Sequence, residues 1–198
     1  MEREEMKLTD RAVLLAAGKH AGQCRKGGTI PYITHVVEAM EIVSRITEDE
    51  EIRAAAVLHD TLEDTETSKE ELERNFGGRV LKIVNAESEN KRKDLPEKET
   101  WKIRKDETIE HLRRADTEIR MIALGDKLSN IRAMARDYRK TGEKLWERFN
   151  AKDPTLHGWY YRSLADIFEK DEFLGKTDEC REYRRLCEEV FGGYGEKP

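Results

Sequence analysis

Residues 54–64 read AAAVLHDTLED, and this stretch decides how the rest of the chain is interpreted. Its first five residues are apolar, which predicts a helix buried in the protein. His59 and Asp60 follow at once, although a buried carboxylate is costly unless it is paired or bound to a metal ion. We interpret this conflict as the mark of a functional site.

The same conflict occurs at two other places. His35 stands at the start of a predicted helix, beside two valines, and Asp126 lies within the apolar sequence MIALGDKLSNI. Gly125 precedes Asp126 and removes bulk next to its carboxylate. Two imidazoles and two carboxylates from three helices suit a hard or borderline divalent ion. The predicted metal ligands are therefore His35, His59, Asp60 and Asp126.

Two further acids follow the His-Asp pair by one helical turn. Glu63 is four residues after His59, and Asp64 is four residues after Asp60, which places both on one side of a continuous helix. A carboxylate next to a metal ion can orient a water molecule and take its proton. Taken alone, a His-Asp dipeptide is more often a cap or an ion pair, and two acids often simply end a helix. The conjunction of these groups favours the functional interpretation.

The composition fits a helical protein with a highly charged surface. The chain has 198 residues, of which 40% are charged and 37% hydrophobic. That mixture is also found in disordered chains, but here the apolar residues recur at helical spacing. No segment alternates with a period of two. We predict one all-α domain over residues 1–175, with residues 176–198 as a helix and tail packed on it or appended to it.

Helix boundaries follow from caps, glycines and prolines. Thr9, Thr47 and Ser68 are the predicted N-caps, and one helix is expected to run from Thr47 through Asp64. The other predicted helices span residues 34–45, from 80 onward, 99–113, 117–138, 143–149, 155–169 and 178–191. The polar stretch 88–99 is predicted to be a surface loop.

Net charge and cysteine content limit the classes of binding partner and the cellular compartment that fit this sequence. The net charge of −5 without long single-sign blocks argues against a nucleic-acid polymer as partner, while a small phosphorylated ligand needs only a few local cations. Three cysteines without a CxxC motif argue against a disulfide framework or a zinc-thiolate site. The amino terminus lacks a signal core, and no apolar run approaches the roughly 20 residues of a membrane span. We expect a cytoplasmic protein that does not enter the membrane.

Several stretches resemble the HD-domain superfamily, and within it the RelA/SpoT-type (p)ppGpp hydrolase domain and its small stand-alone relatives. The resembling stretches are RKGGTIPYITH (25–35), AAVLHDTLEDT (55–65), FGGRVLKIV (76–84) and ALGDKLSNIR (123–132), with WYYRSLAD (159–166) as a weaker one. They occur in the family's order and at compatible spacing. The combination of His, HD-x-x-ED and a later GDK-x-x-N is specific.

The resemblance implies an all-helical HD-domain bundle and a bound Mn²⁺, with Fe²⁺ or Mg²⁺ as alternatives. By position, the four predicted ligands match the family's metal ligands, and Glu63 and Asp64 match the catalytic pair that serves the nucleophilic water. The implied reaction is hydrolysis of the 3′-pyrophosphate of (p)ppGpp, which yields GDP or GTP and pyrophosphate. Because the chain ends soon after these motifs, we expect hydrolysis without synthesis.

The resemblance also implies a set of substrate-binding residues. Arg25 and Lys26, in a loop with two glycines and a proline, match a basic pair at the mouth of the pocket. A guanidinium can stack on a purine there, and an ammonium can meet phosphate. Asn130 matches a residue on the ribose side. Tyr160 matches a substrate-contacting tyrosine, with Tyr161 as its rival under a one-residue shift.

The chain departs from the family where the substrate would be recognised. The residues after Val84 differ from the usual threonine- and aspartate-rich turn, so a different rim is expected from Glu87, Glu89, Lys91 and Arg92. This difference leaves open a phosphohydrolase of another nucleotide such as NADP(H). A non-catalytic nucleotide sensor and a structural bundle with buried ion pairs are the remaining alternatives.

Overall fold

The computed structural model describes residues 6–88 and 97–195, and these ranges contain helices and turns but no β-strand. The predicted all-α fold is confirmed. The α-helices are α1 (Leu8–Lys19), α2 (Ile33–Ile46), α3 (Glu50–Leu58), α4 (Thr61–Asp64), α5 (Lys69–Phe76), α6 (Gly78–Glu87), α7 (Glu97–Arg114), α8 (Thr117–Thr141), α9 (Pro154–Lys170) and α10 (Asp178–Phe191). Short 3₁₀ helices span Gly142–Arg148 and Leu174–Lys176.

The loop predicted at 88–99 lies largely outside the described residues, as do Glu89, Lys91 and Arg92 of the predicted rim. The predicted loop extends too far towards the C-terminus, because α7 already begins at Glu97.

The chain divides into two compact units. The first unit comprises the described residues up to Ser88 together with Met121–Ser129. The second unit comprises the described residues within Glu89–Arg120 and Asn130–Pro198. In the first unit, α1, α2 and α6 all pack against α3. Residues 54–58 of α3 are completely buried, as their apolar sequence AAAVL predicts.

The structure confirms one of the three predicted helix caps and replaces the other two. Ser68 caps α5 as predicted, its Oγ accepting from the Glu71 backbone N at 3.1 Å. The predicted caps Thr9 and Thr47 are wrong. Asp49 caps α3, and the first turn of α1 donates instead to Glu50, with the Thr9 backbone N 3.2 Å from its Oε2. A partner 41 residues away cannot be found from local pattern.

Gly125 allows α8 to approach α2 closely. A Cβ atom built on Gly125 would lie 2.8 Å from Cγ2 of Val43 and 2.9 Å from the carbonyl oxygen of Ala39. Both distances are too short for a real contact, so any side chain here would push the two helices apart. Since α2 carries His35 and α8 carries Asp126, this spacing also fixes the distance between two predicted ligands.

The second unit is built on α9, which packs against α7 and α10. Its core is aromatic: Trp146 stacks on His157 at 5.6 Å, and Tyr161 stacks on Tyr183 at 6.1 Å. The α10 helix therefore packs on α9 in this unit. The domain boundary predicted after residue 175 stays a prediction.

The described ranges also include all three cysteines, and each is a free thiol. Burial raises the pKa of Cys180 to about 11 and that of Cys187 to about 12, so these two act as packing residues. None of the helices in residues 6–88 and 97–195 has the length and apolar character needed to cross a bilayer.

We expect Gly125→Ala to destabilise the protein by about 1–3 kcal/mol, because the added methyl group overpacks the α2–α8 contact. Urea denaturation of the metal-free protein measures this. Gly18→Ala is the matched control: Gly18 lies in α1 with open space around it, so its substitution should leave stability unchanged or slightly raise it. Equal stabilities for the two variants would contradict the close approach.

Candidate metal centre

Three parts of the first unit bring the predicted metal ligands together. His35 lies in the first turn of α2, His59 and Asp60 lie between α3 and α4, and Asp126 lies in the middle of α8. His35, His59 and Asp126 are buried, and Asp60 is half-buried. The apolar helices therefore enclose four polar side chains in one place.

The helix is interrupted at the His-Asp pair, and this interruption separates α3 from α4. On a regular helix, consecutive side chains diverge by roughly 100°. Here α3 ends at Leu58, and Asp60 has left regular helical geometry, with φ −93° and ψ −3°. The Thr61 hydroxyl donates to the Leu58 carbonyl at 2.6 Å and holds the break. The prediction of one continuous helix through Asp64 is wrong at this point.

The distances between the four side chains leave room for one shared cation. Nε2 of His35 lies 3.2 Å from Oδ1 of Asp126 and 3.5 Å from Oδ2 of Asp60. Nε2 of His59 lies 2.9 Å from Oδ2 of Asp60 and 3.8 Å from Oδ1 of Asp126. His35, His59 and Asp126 each offer a ligand atom within 4.8 Å of the others.

Both histidines turn the same ring nitrogen towards the carboxylates. Nδ1 of His59 lies 2.7 Å from the Ala56 carbonyl oxygen, which can only accept, so Nδ1 carries the proton. Nδ1 of His35 is likewise occupied, 2.8 Å from Oγ of Ser129. Nε2 of His59 is buried and makes no well-oriented hydrogen bond among the described residues. This donor set fits a divalent cation.

The charges at the centre stabilise one another. Burial opposes the ionised form of Asp60, yet His59 and His35 hold the pKa of Asp60 well below its usual range. Burial likewise opposes ionised Asp126, but Lys127 and the two histidines keep its pKa low. Burial lowers the pKa of His59, but Asp60 and Asp126 outweigh it and raise that pKa to about 10. The two carboxylates that favour a proton on His59 would also favour a divalent cation at the same place.

Sequence reasoning missed two residues that contact the predicted ligands. The Tyr32 hydroxyl donates to Oδ2 of Asp60 at 2.6 Å, and burial together with nearby carboxylates holds the pKa of Tyr32 far above its ordinary value. Tyr32 therefore stays a hydrogen-bond donor. Lys127 pairs with Oδ2 of Asp126. Two signals were available: Tyr32 precedes His35 by three residues and Lys127 follows Asp126, and both lie inside stretches that resemble the family.

The predicted catalytic acids occupy the short helix α4. Asp64 is exposed, with Oδ2 3.4 Å from the Tyr32 hydroxyl, and Glu63 beside it is half-buried. The Gln23 side-chain amide donates to the Asp64 carbonyl at 2.8 Å and links α4 to the loop between α1 and α2. Tyr32 thus connects Asp64 to the predicted ligand Asp60.

The predicted basic loop is an ordered hairpin. Cys24 and Pro31 form an isolated antiparallel bridge, and the Arg25 backbone N donates to the Ile30 carbonyl at 2.8 Å. Arg25 is half-buried and Lys26 is exposed at the turn. The hairpin gives both cations a fixed backbone position in the first unit.

Glu87, predicted as part of a rim, ends α6 with a buried oxygen. Its Oε1 is sealed from water and has no hydrogen-bond partner among the described residues. Burial, with smaller contributions from Asp126 and Asp60, raises the pKa of Glu87 to about 8, although Lys127 and His59 oppose the shift. The pKa of Glu87 therefore depends on the charges of the centre.

The other two predicted substrate-binding residues belong to the second unit. Asn130 is half-buried in α8, one turn after Asp126. Tyr160 is buried, with its ring centroid 6.3 Å from that of Trp101 and the Lys105 ammonium 5.0 Å from its ring. Its rival Tyr161 packs in the aromatic core. The substrate roles of Asn130 and Tyr160 stay predictions.

An all-helical fold in which a His-Asp pair follows a buried helix, with a second His and a second Asp beside that pair, is characteristic of the HD class of proteins. A family model described as HD domain matches residues 12–155, and the chain belongs to this family. The family inferred from the sequence motifs is confirmed.

Relatives and solved structures agree with this assignment. The chain is 39% identical over 140 residues to the zebrafish (Danio rerio) guanosine-3′,5′-bis(diphosphate) 3′-pyrophosphohydrolase MESH1, covering 66% of this chain and 74% of that protein. It is 32% identical over 127 residues to a Haemophilus influenzae protein with the same enzyme name, covering 61% of this chain but only 18% of that longer protein. A solved structure described as a metazoan ortholog of SpoT that hydrolyzes ppGpp superposes with a TM-score of 0.69 at 27% identity, covering 91% of this chain and 95% of that one. The predicted enzyme class, a hydrolase, is thereby confirmed.

We expect the binding of a divalent metal ion to release at least one proton, because a ligand Nε2 must be deprotonated and the pKa of His59 is about 10. The apparent affinity for Mn²⁺ should therefore rise with pH up to that value, by as much as about tenfold per pH unit. Calorimetric titrations in two buffers of different ionisation enthalpy count the protons. His111→Ala, at an exposed histidine, should not change the count, and identical heats in both buffers would contradict the prediction.

We expect Glu87→Gln to stabilise the metal-free protein at pH 8.5 but hardly at pH 5. The folded protein keeps the Glu87 proton up to about pH 8, whereas the unfolded chain loses it near 4.5, so the native state loses stability as pH rises between these values. Glutamine has no carboxyl proton to lose, so the variant does not lose this stability as the pH rises. Thermal melts in EDTA at several pH values test it, with exposed Glu73→Gln as control. A melting-temperature difference independent of pH would refute it.

Proposed function

We propose that this protein is a metal-dependent phosphohydrolase that removes the 3′-pyrophosphate of (p)ppGpp, yielding GDP or GTP and pyrophosphate. The observation that carries the proposal is the buried cluster in which two histidine Nε2 atoms face two carboxylates. The enzyme names of the relatives support the substrate, and the match covers most of the zebrafish protein.

In this proposal His35, His59, Asp60 and Asp126 hold the metal ion, with Mn²⁺ first and Fe²⁺ or Mg²⁺ as alternatives. Mixed imidazole and carboxylate ligands suit all three ions. When bound, such an ion polarises a phosphoryl oxygen and makes water a stronger acid. Tyr32 keeps one oxygen of Asp60 oriented, and Lys127 does the same for Asp126.

Glu63 and Asp64 are the proposed acceptors of the water proton. The water oxygen bonds to the phosphorus attached to the ribose 3′ oxygen, and the bond between that phosphorus and the 3′ oxygen breaks. The released 3′ oxygen takes up a proton and becomes a hydroxyl group, while the pyrophosphate leaves with the new oxygen. A positioned carboxylate acting as base contributes a factor of roughly 10²–10⁴.

The proposed substrate contacts follow the chemistry of the ligand. The Arg25 guanidinium stacks on the purine, and the Lys26 ammonium meets phosphate oxygens. Asn130 contacts the ribose side and Tyr160 the substrate. The partner is thus a small phosphorylated nucleotide. A cytoplasmic location is part of the proposal, and three free thiols suit a reducing compartment.

A substrate panel with added Mn²⁺ tests the proposal. We expect the full chain to release pyrophosphate from ppGpp, Asp60→Ala to release none, and Glu63→Gln to bind ppGpp while losing roughly 10²–10⁴ in kcat. Glu66→Gln, an exposed acid just beyond α4, is the matched control and should retain full turnover.

Each other outcome of the panel assigns a different function. Phosphate released from NADP(H) without pyrophosphate from ppGpp would replace the substrate but keep the hydrolase. Tight nucleotide binding without turnover in the unmodified protein would identify a sensor. Failure to take up any divalent metal would leave a structural bundle with buried ion pairs.

A further inference from the structure

A row of three polar side chains runs away from the metal centre behind His35. Nδ1 of His35 lies 2.8 Å from Oγ of Ser129, and that hydroxyl donates to Oε2 of Glu38 at 2.8 Å. Ser129 is 1% exposed, and Glu38 is half-buried. All three residues belong to the first unit. We call this row the Glu38–Ser129–His35 relay.

The relay uses the two helices that already carry ligands. Glu38 lies three residues after His35 in α2, and Ser129 lies three residues after Asp126 in α8. On a helix, residues three apart lie on the same face. The turn that follows each ligand therefore supplies one member of the relay, and the hydrogen bonds run from α2 to α8 and back.

Counting protons fixes the direction of the hydrogen bonds. A serine hydroxyl has one proton, and an ionised carboxylate can only accept. The Ser129 proton therefore goes to Glu38, and Oγ of Ser129 must accept the Nδ1 proton of His35. His35 is thereby held as the tautomer whose Nε2 faces Asp60 and Asp126.

The two histidines differ in what stands behind them. Nδ1 of His59 donates to a backbone carbonyl, that of Ala56, which no side-chain substitution removes. His35 donates through Ser129 towards a negative charge. A carboxylate behind a ligating imidazole orients the ring and makes the ligand nitrogen more basic.

We propose that Glu38 and Ser129 are positioning residues for the metal centre, which orient His35 and strengthen its binding of a divalent cation. The inference rests on the metal centre of the proposed function, but it concerns affinity for the ion and not the identity of the substrate. The competing interpretation is a hydrogen bond that merely ties α2 to α8. That tie would affect the stability of the metal-free protein and leave metal affinity unchanged.

The test measures Mn²⁺ affinity of EDTA-stripped full-length protein by calorimetry, alongside its urea denaturation. We expect Ser129→Ala and the isosteric Glu38→Gln to weaken Mn²⁺ binding roughly 10- to 100-fold. Glu41→Gln is the matched control, since Glu41 lies on the same helix but is exposed and paired with Arg45. It should bind Mn²⁺ like the unmodified protein.

A spectroscopic signature separates the relay from a loss of packing. In the Zn²⁺-loaded protein, the Nδ1 protons of His35 and His59 should both resonate far downfield in proton NMR. Glu38→Gln should shift the His35 proton upfield, and the His59 proton, bound to a backbone carbonyl, should stay in place as an internal reference.

A double variant tests whether the two residues act as one chain. Because Glu38 acts through Ser129, adding Glu38→Gln to Ser129→Ala should cause little further loss of affinity. Additive losses, or wild-type affinity in both single variants, would overturn the inference and leave the hydrolase intact. If Ser129→Ala does not fold, Glu38→Gln alone decides. Absence of metal uptake by the unmodified protein would overturn both.

Discussion

The burial of opposite charges at one point is the constraint on which the first unit depends. Asp60 and Asp126 are held ionised inside apolar helices because His35, His59 and Lys127 lie beside them. Buried ion pairs of this kind stabilise a fold weakly at best, because desolvation opposes the attraction. Their retention is understandable as the cost of a cation site, and the close contact of α2 with α8 at Gly125 holds the site together.

Local pattern predicted what is local in the structure. The buried run 54–58 and the cap at Ser68 both followed from spacing and residue type. The four ligands were proposed because burying polar groups in apolar surroundings costs free energy. That signal is carried by each short segment separately and needs no knowledge of the fold.

Pattern failed where a partner lies far along the chain. Glu50 accepts a hydrogen bond from the first turn of α1, 41 residues away in sequence. Ser129 donates a hydrogen bond to Glu38, 91 residues away. The break at His59 and Asp60 also escaped, because a helix continued through them fits the local sequence equally well. Tyr32 lies in a loop, and no local pattern indicates that its hydroxyl donates a hydrogen bond to Asp60.

The pairing of Lys127 with Asp126 has a consequence for the total charge of the centre. Once an ion has displaced the proton of His59, both histidines are neutral, and Lys127 offsets one of the two carboxylates, so these five side chains together carry a single negative charge. A divalent ion would then more than balance that charge and leave the ion and these five side chains net positive. A polyanion would be attracted to such a centre at distances where a neutral one exerts no pull, and higher salt should weaken that attraction. Replacing this lysine would therefore slow capture of a phosphorylated ligand even if every atom that binds the ion stayed in place.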